Sequence, residues 1–131
     1  MNPARALFAN DAFYLAFANR DAHAMAAIWA EEHPVTCIHP GWPALTERDE
    51  VIEGWAQILG SDDPPDITPH HARAFPYGDA VLVICYEALG DEMLVASNVF
   101  VEEQGEARLV HHQAGPCAQP PEPENPRGAV Q

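Results

Sequence analysis

The chain contains no lysine, and its six arginines are the only permanently cationic side chains. Against them stand 20 aspartates and glutamates, which give a formal net charge of -14 at pH 7. A surface of this sign repels nucleic acids and anionic membranes, because both are bound mainly through clusters of Lys and Arg. The composition therefore argues against nucleic acid or a membrane surface as a partner.

Long apolar runs are also missing. No segment approaches the roughly 20 consecutive apolar residues of a membrane span. Near the N-terminus, Asp11 and Arg20 interrupt the stretch in which an export signal would be continuously apolar. We therefore expect a soluble protein that is not exported.

Cysteine is scarce as well. The three residues Cys37, Cys85 and Cys117 lie far apart and form no C-x-x-C pair. An odd number at such spacing is typical of reduced thiols in a cytoplasmic protein rather than of a disulfide framework. We expect Cys37 and Cys85 to pack in the core.

The length of 131 residues allows one domain with a single core. Apolar patterns run through residues 1–116, which we predict to be that domain. Residues 117–131 are rich in proline and lack aromatic side chains. Such a segment buries too little surface to order itself, so a loose C-terminal extension is expected.

The first half of the domain predicts three helices. Apolar spacing indicates a helix over 4–18 and a second one that Asp21 can cap. A short strand at 35–39 follows. The sequence from Thr46 has the form of a capping box and starts a third helix, which Gly60 ends.

The second half predicts an antiparallel sheet. Its strands are residues 67–75, 81–88, 93–101 and 108–114. The last three form a meander, because Gly90-Asp91 and Gln104-Gly105 are signals for two-residue turns. Pro69 in the first strand indicates a sheet edge or a bulge.

Two-residue turns place Asn98 directly opposite His111 on neighbouring strands. One face of the sheet then carries Cys85, Glu87, Asn98, His111 and Gln113 among apolar side chains. Such a mixture suits a ligand pocket, whereas we expect the other, more uniformly apolar face to meet a second subunit in a homodimer. A one-residue bulge would reverse this assignment of faces.

Several local motifs spread over about residues 8–116 point to one family. They are Phe13-Tyr14, Ala26-Ala27-Ile28-Trp29, residues 35–42, residues 45–49, Trp55, Ser97-Asn98-Val99-Phe100 and residues 108–116. Together with the order of helices and strands, they resemble the nuclear transport factor 2-like superfamily and, within it, the SnoaL-like bacterial proteins. The resemblance implies an α+β cone, in which three N-terminal helices pack on a curved, antiparallel or mixed sheet that encloses a cavity. Such cones are usually dimeric.

The resemblance implies less about activity, because the superfamily includes isomerases, hydratases, dehydratases, cyclases and association modules on one scaffold. Its ketosteroid-isomerase branch uses a carboxylate base on the strand after the second helix. Here that strand offers Cys37 and His39, and the sheet offers Asn98 and Glu87. A steroid-type isomerase is therefore disfavoured.

His39 and His111 are the candidate catalytic residues. An imidazole titrates near neutral pH, so the pair could act as general base and general acid. The alternative is structural: His39 anchors the loop at 40–42, and His111 only forms a hydrogen bond with Asn98. Both interpretations stay open at this point.

A second group of residues is predicted to line the ligand pocket. They are Tyr14, Trp42, Trp55, Cys85, Asn98 and Gln113. Trp42 lies in a proline-bounded loop at the expected cavity mouth, where aromatic side chains often contact a ligand. The alternative for the tryptophans is that they pack in the core.

Metal and cofactor sites are not predicted. Seven histidines include the doublets His70-His71 and His111-His112. Adjacent residues of a strand point to opposite faces, so neither doublet supplies two ligands to one metal ion. We expect no metal and no cofactor.

The sequence thus predicts a cytoplasmic, dimeric α+β protein that binds a small, partly apolar organic molecule. Whether the chain also turns the molecule over by cofactor-free acid-base chemistry, in the manner of an isomerase or a hydratase/dehydratase, is left open by the sequence. The alternative is a non-catalytic oligomerisation or ligand-binding module. The sequence identifies neither the ligand nor the reaction.

Overall fold

The computed structural model describes residues 1–124, and within them the chain forms three helices and five strands. The elements are α1 Pro3–Ala18, α2 Ala22–Ile28, β1 Thr36–Ile38, α3 Arg48–Leu59, β2 Ile67–Tyr77, β3 Ala80–Leu89, β4 Glu92–Glu103 and β5 Glu106–Pro116. The helices cover one face of a sheet with strand order β1-β5-β4-β3-β2. All neighbours are antiparallel except β1 and β5, which are parallel. The predicted α+β architecture with a mixed sheet is confirmed.

Helix starts follow local capping chemistry. The Asp21 side chain accepts a hydrogen bond from the Ala24 backbone N–H (3.0 Å), as predicted for α2. At α3 the capping box lies one residue later than predicted, because Glu47 and not Thr46 is the N-cap. The Glu50 carboxylate accepts from the backbone N–H groups of Thr46 (3.4 Å) and Glu47 (3.3 Å). No helix in residues 1–124 has the length and hydrophobicity needed to cross a membrane.

Arginine side chains connect the helices to one another. Arg48 Nε donates to the Ala30 carbonyl (2.9 Å) and its Nη2 donates to the Ala26 carbonyl (3.2 Å) at the end of α2. Arg20 Nε donates to the Leu59 carbonyl (3.1 Å) at the end of α3. Helix C-termini present unpaired carbonyls and partial negative charge, so guanidinium groups stabilise them.

The two predicted turns of the meander are confirmed. Gly90-Asp91 joins β3 to β4, and Gln104-Gly105 joins β4 to β5. Gly90 and Gly105 have φ of +61° and +79°, a region in which glycine carries no Cβ penalty. The first hairpin pairs without irregularity along its whole length.

The second hairpin contains a bulge that changes which face two histidines occupy. Phe100 pairs with Leu109, but Val99 pairs with His111, so Val110 is an extra residue. Beyond this point Asn98 is opposite His112. The predicted pairing of Asn98 with His111 is therefore wrong, because a bulge shifts the register of every later residue by one.

Strand β2 lies at the edge of the sheet, as one of the two alternatives predicted from Pro69, and it also carries a bulge just after this residue. Its register shifts between His70 and Arg73. His71 has a φ of +56°, which is rare for a residue with a Cβ. The irregularity bends the end of the sheet and frees part of its backbone from the ladder.

The core lies between the helices and the inner sheet face and is dominated by aromatic side chains. Phe13 makes edge-to-face contacts with Tyr14 (ring centroids 4.7 Å apart) and Trp55 (5.4 Å), and Phe17 meets Trp55 at 5.1 Å. Each of these rings is at least 94 % buried. Burying one large apolar side chain contributes roughly 1.5–3 kcal/mol, so this cluster stabilises the packing of α1 against α3.

The segment after β5 has no helix or strand up to Glu124, yet it is not separate from the domain. The Cys117 backbone N–H donates to the Met93 carbonyl (3.3 Å), and Glu122 and Glu124 contact β2. The expected loose extension is therefore wrong for residues 117–124. The rest of the predicted extension, residues 125–131, lies outside the described residues.

Candidate functional site

A cavity of about 400 Å³ opens between α3, the loop after β1 and the inner face of the sheet. Its apolar walls include Phe17, Trp42, Trp55, Ile58, Ile67 and Leu89. Three ionisable side chains also line it: His39, Glu87 and His112. Mostly apolar walls with a few polar groups are the usual composition of a small-molecule site.

Glu87 and His112 form a buried pair in the wall of this cavity. Glu87 lies on β3 and His112 on β5, and both point inward across β4. His112 Nε2 is 4.0 Å from Glu87 Oε2, and the two side chains are only 2 % and 3 % exposed. This distance is longer than a direct hydrogen bond, so the two groups do not bind each other and both can face one ligand in the cavity.

Tyr14 anchors the carboxyl group of Glu87 from behind the cavity. Its hydroxyl donates to Glu87 Oε2 at 2.6 Å. The Tyr14 hydroxyl oxygen in turn accepts from Asn98 Nδ2 (3.2 Å) and from the Cys85 thiol (3.2 Å). The phenol thus makes one donated and two accepted hydrogen bonds, which is its full capacity.

Asn98 fixes the protonation of His112. Its Nδ2 donates to Asn10 Oδ1 at 2.8 Å as well as to Tyr14, so its Oδ1 is the atom that faces His112 Nδ1 at 2.6 Å. An amide oxygen only accepts, hence the Nδ1 of His112 must carry the hydrogen. In the neutral imidazole, Nε2 then has the free lone pair and directs it towards Glu87.

Burial determines the charges of the pair. It raises the pKa of Glu87 to about 7, because the carboxylate loses its hydration, and the hydrogen bond from Tyr14 only partly opposes this effect. Burial also lowers the pKa of His112 to about 3, and the charges of His39 and His111 act in the same direction. Between about pH 3 and pH 7 the carboxyl group of Glu87 is therefore protonated and the imidazole of His112 is neutral.

The neighbouring donors stay neutral for the same reason. Burial raises the pKa of Tyr14 well above its usual value and that of the Cys85 thiol to about 11. Both groups therefore remain hydrogen-bond donors at neutral pH. A thiolate nucleophile at Cys85 is disfavoured, since the thiolate is the reactive form.

His39 lines the cavity between two indole rings. Its ring centroid is 4.8 Å from Trp42 and 4.7 Å from Trp55, and its Nε2 is 3.5 Å from Cys37 Sγ. Burial lowers the pKa of His39 to about 4 and raises that of Cys37 to about 12. At neutral pH both are uncharged, so His39 offers a polar edge without a positive charge.

The structure brings together most of the predicted site residues but not all of them. Trp42, Trp55 and His39 line the cavity. The predicted pocket residues Tyr14, Cys85 and Asn98 lie behind its wall, in the buried hydrogen-bond network.

His111 and Gln113 lie on the opposite face of the sheet, which corrects their predicted place in the pocket. His111 Nδ1 contacts Thr36 Oγ1 at 2.7 Å, and Gln113 is exposed. The cause is the bulge at Val110, which turns His112 inward instead.

Two residues of the network, Asn10 and His112, were not predicted as site residues. Glu87 was placed on the pocket face of the sheet but was not predicted as a site residue, although a single carboxylate in the otherwise apolar stretch of β3 is a detectable signal. Asn10 lies on the buried face of α1. In the sequence, nothing distinguishes it from the polar residues on the exposed face of a helix. In residues 1–124, no three His, Cys, Asp or Glu side chains are grouped closely enough to hold a metal ion.

The helices, the open mixed sheet and the cavity between them define a member of the nuclear transport factor 2-like class, whose fold often binds small molecules. More narrowly, the chain belongs to the SnoaL-like domain family, which matches residues 7–119. The predicted family is therefore confirmed.

Two solved structures illustrate the relationship. A candidate dehydratase of the NTF2-like family from Streptomyces avermitilis is 28% identical, with 89% of this chain and 96% of that chain covered and a TM-score of 0.79. A candidate calcium/calmodulin-dependent protein kinase type II association domain from Thiobacillus denitrificans is 34% identical. The alignment covers 83% of this chain and 92% of that chain, with a TM-score of 0.72.

One curated relative is a plant protein. The F-box protein SKIP8 of Arabidopsis thaliana is 27% identical over 105 residues, which are 79% of this chain and 46% of that protein. The chain therefore spans less than half the length of this relative.

Proposed function

We propose that the chain binds a small, partly apolar organic molecule in the cavity and turns it over by acid-base chemistry without a cofactor. The reaction is of the isomerase or hydratase/dehydratase type. The observation that carries this proposal is the pair of buried, oppositely perturbed groups Glu87 and His112 at 4.0 Å in an apolar cavity. Environments that push two pKa values apart are typical of acid-base sites.

The single proton of the pair suits removal of water from a β-hydroxy carbonyl compound. His112 Nε2 takes the proton from the carbon next to the carbonyl, and the Glu87 carboxyl protonates the hydroxyl group as its C–O bond breaks. A C=C bond forms and water leaves. Transfer of the proton from His112 back to Glu87 restores the starting state, so no other reactant is needed.

These roles replace the predicted pair His39 and His111. His111 is on the other face of the sheet and does not reach the cavity. Neutral His39, held between Trp42 and Trp55, is placed to orient a polar group of the ligand. The relative from Streptomyces avermitilis, described as a candidate dehydratase, supports this class of reaction.

The experiment compares two neighbouring histidines. Native mass spectrometry of the purified chain first identifies any small molecule that it retains, and a panel of β-hydroxy ketones and their enones is then screened for turnover. We expect His112→Gln and Glu87→Gln to lower kcat about 100-fold or more, the usual contribution of a general acid or base. His111→Gln is the matched control and should stay within about twofold of the original chain, because His111 lies outside the cavity. Equal activities of His111→Gln and His112→Gln would refute the assignment.

A homodimer through the outer face of the sheet is a second proposal. That face exposes half-buried apolar side chains outside the groove next to β2, including Leu82, Val95 and Val99. The relative from Thiobacillus denitrificans, described as a candidate association domain, is consistent with a role in assembly. Sedimentation velocity of the original chain and of Val99→Arg tests it: a dimer that the substitution dissociates supports the interface, and a monomer contradicts it. If assembly is the whole function, Glu87→Gln and His112→Gln will change stability or assembly alone.

A further inference from the structure

The C-terminal segment is bound to the irregular part of β2 by a set of specific contacts. The His71 backbone N–H donates to Glu124 Oε1 at 2.8 Å, and His71 Nε2 is 2.6 Å from the Glu122 carbonyl oxygen. The Glu124 backbone N–H donates to His70 Nδ1 at 3.0 Å. Glu124 Oε2 also lies 3.8 Å from His71 Nδ1. Both backbone and side-chain atoms of the segment are thus recognised.

The bulge of β2 is what makes this recognition possible. On a regular strand His70 and His71 would point to opposite faces and could not hold one segment. The register shift between His70 and Arg73, with the positive φ of His71, places both residues against the same stretch of chain. It also leaves the His71 N–H free to bind a carboxylate instead of a neighbouring strand.

A groove next to the bulge has the proline that precedes the acidic residues as part of its wall. It is lined by His71, Arg73, Phe75, Ile84, Tyr86 and Pro121. Its walls combine aromatic rings with a guanidinium, since Arg73 lies over the Phe75 ring at 5.2 Å. Extended proline-containing segments are recognised in this manner by aromatic-lined grooves.

We propose that the β2 bulge is a recognition site for an extended, acidic, proline-containing segment. The occupant is residues 121–124 of this chain, which form a displaceable strap over the outer sheet face. The site is on the opposite face from the cavity, so it is independent of the proposed acid-base function. The segment can be displaced because its contacts are accessible to solvent: the side chains of His71 and Glu124 are 36% and 53% exposed. Exposed contacts of this kind open at low cost compared with core elements.

The first test measures amide hydrogen exchange at His71 in the full chain. In Glu124→Ala the acceptor of the His71 N–H is removed, and we expect exchange to be about five- to tenfold faster, the effect of losing one partly exposed hydrogen bond. Glu122→Ala is the matched control, because Glu122 contributes its backbone carbonyl and both variants lose one negative charge. Equal exchange rates in the two variants would overturn the proposal.

A second test separates the binding of the segment at the bulge from its shielding of apolar side chains. A synthetic peptide of residues 118–124, added at millimolar concentration to Glu124→Ala, should slow His71 exchange again, whereas the same peptide with Ala at its last position should not. A dye that binds apolar surface should fluoresce more with Glu124→Ala than with Glu122→Ala, because Ile84 and Tyr86 become accessible. Peptides that act alike, or unchanged dye fluorescence, would contradict the proposal.

Discussion

Asn98 stands at the centre of the buried polar network, and each polar atom of its side chain has a partner. Its amide nitrogen donates to Asn10 and Tyr14, and its oxygen accepts from His112. Because the orientation of this amide is fixed from both sides, it selects the tautomer of His112. A residue that touches no ligand therefore determines which nitrogen can act as a base.

Replacing Asn98 with Ala should be strongly destabilising. It leaves buried polar atoms of Asn10, Tyr14 and His112 without partners, so we expect the free energy of unfolding to fall by about 2–4 kcal/mol. Urea denaturation measures this change. The neighbouring substitution Ser97→Ala, on the outer face, should stay within about 0.5 kcal/mol. Similar values for the two variants would show that the network adds no stability.

Glu87 should make stability fall as the pH rises towards neutral. Its pKa is about 7 in the folded chain against 4.5 ordinarily, so the folded state binds the proton more tightly. This contribution is fully present below pH 4.5 and is lost as the pH rises through 7. By 1.36 kcal/mol per pKa unit, it amounts to about 3 kcal/mol.

The lowered pKa values of His39 and His112 act in the opposite direction, since the folded chain binds fewer protons than the unfolded chain up to pH 6.5. The effect of Glu87 is therefore isolated by comparison with Glu87→Gln. Urea denaturation between pH 4.5 and 8 should show the original chain losing stability relative to this variant as the pH rises. A constant difference would mean that the pKa of Glu87 is the same in the folded and the unfolded chain.

Among the elements, α3 depends on a glycine for its position against the cavity. A Cβ at Gly54 would come within 3.1 Å of Leu45 Cδ1, 3.5 Å of the Trp42 ring and 3.8 Å of His39 Nε2. The missing side chain therefore lets the loop after β1 pack against the helix. This close approach holds Trp42 and His39 in the cavity wall.

Gly54→Val should disturb this contact. We expect a loss of about 1–3 kcal/mol in the free energy of unfolding, typical of overpacking, and a shift in the fluorescence of Trp42. Ala56→Val introduces the same side chain at an exposed position of α3 and should cost less than about 1 kcal/mol, the difference in helix propensity. Chemical denaturation followed by tryptophan emission measures both effects. Equal losses would attribute the change to helix propensity alone.

The elements also show what the sequence could and could not predict. The turns at Gly90-Asp91 and Gln104-Gly105 were predictable, because a two-residue turn is a local preference of the residues that form it. The bulge at Val110 was not, because it depends on the pairing of β5 with distant strands, and residues 108–112 contain no glycine or proline that would indicate it. The fold and the aromatic cavity wall therefore followed from the sequence, whereas the histidine that enters the cavity did not.

At the scale of the whole molecule, arginine side chains stabilise the fold by binding backbone carbonyls and a carboxylate. Arg20, Arg48 and Arg108 donate to backbone carbonyls, and Arg5 pairs with Glu102 at 2.7 Å. None of the arginines in residues 1–124 lines the cavity. Among residues 1–124, no guanidinium group is therefore placed to hold an anion in the cavity.

The net charge of -14 predicts how salt affects stability. Repulsion among unpaired carboxylates destabilises the compact state, and added salt screens it within about 8 Å at physiological ionic strength. We expect the unfolding temperature to rise by about 2–6 °C between 10 and 150 mM NaCl. Scanning calorimetry at pH 7.5 gives this value. A fall in the unfolding temperature would indicate that ion pairs contribute more than repulsion.

The adjacent residues His111 and His112 have one further consequence. Because adjacent residues of a strand point to opposite faces, one peptide bond joins an imidazole on the outer side of the sheet to another that is enclosed beside the cavity. In a nuclear magnetic resonance titration these two neighbouring rings are observed in the same sample, at the same temperature and in the same buffer. The outer ring is then an internal reference for the enclosed one, so occupancy of the cavity can be followed without a second sample.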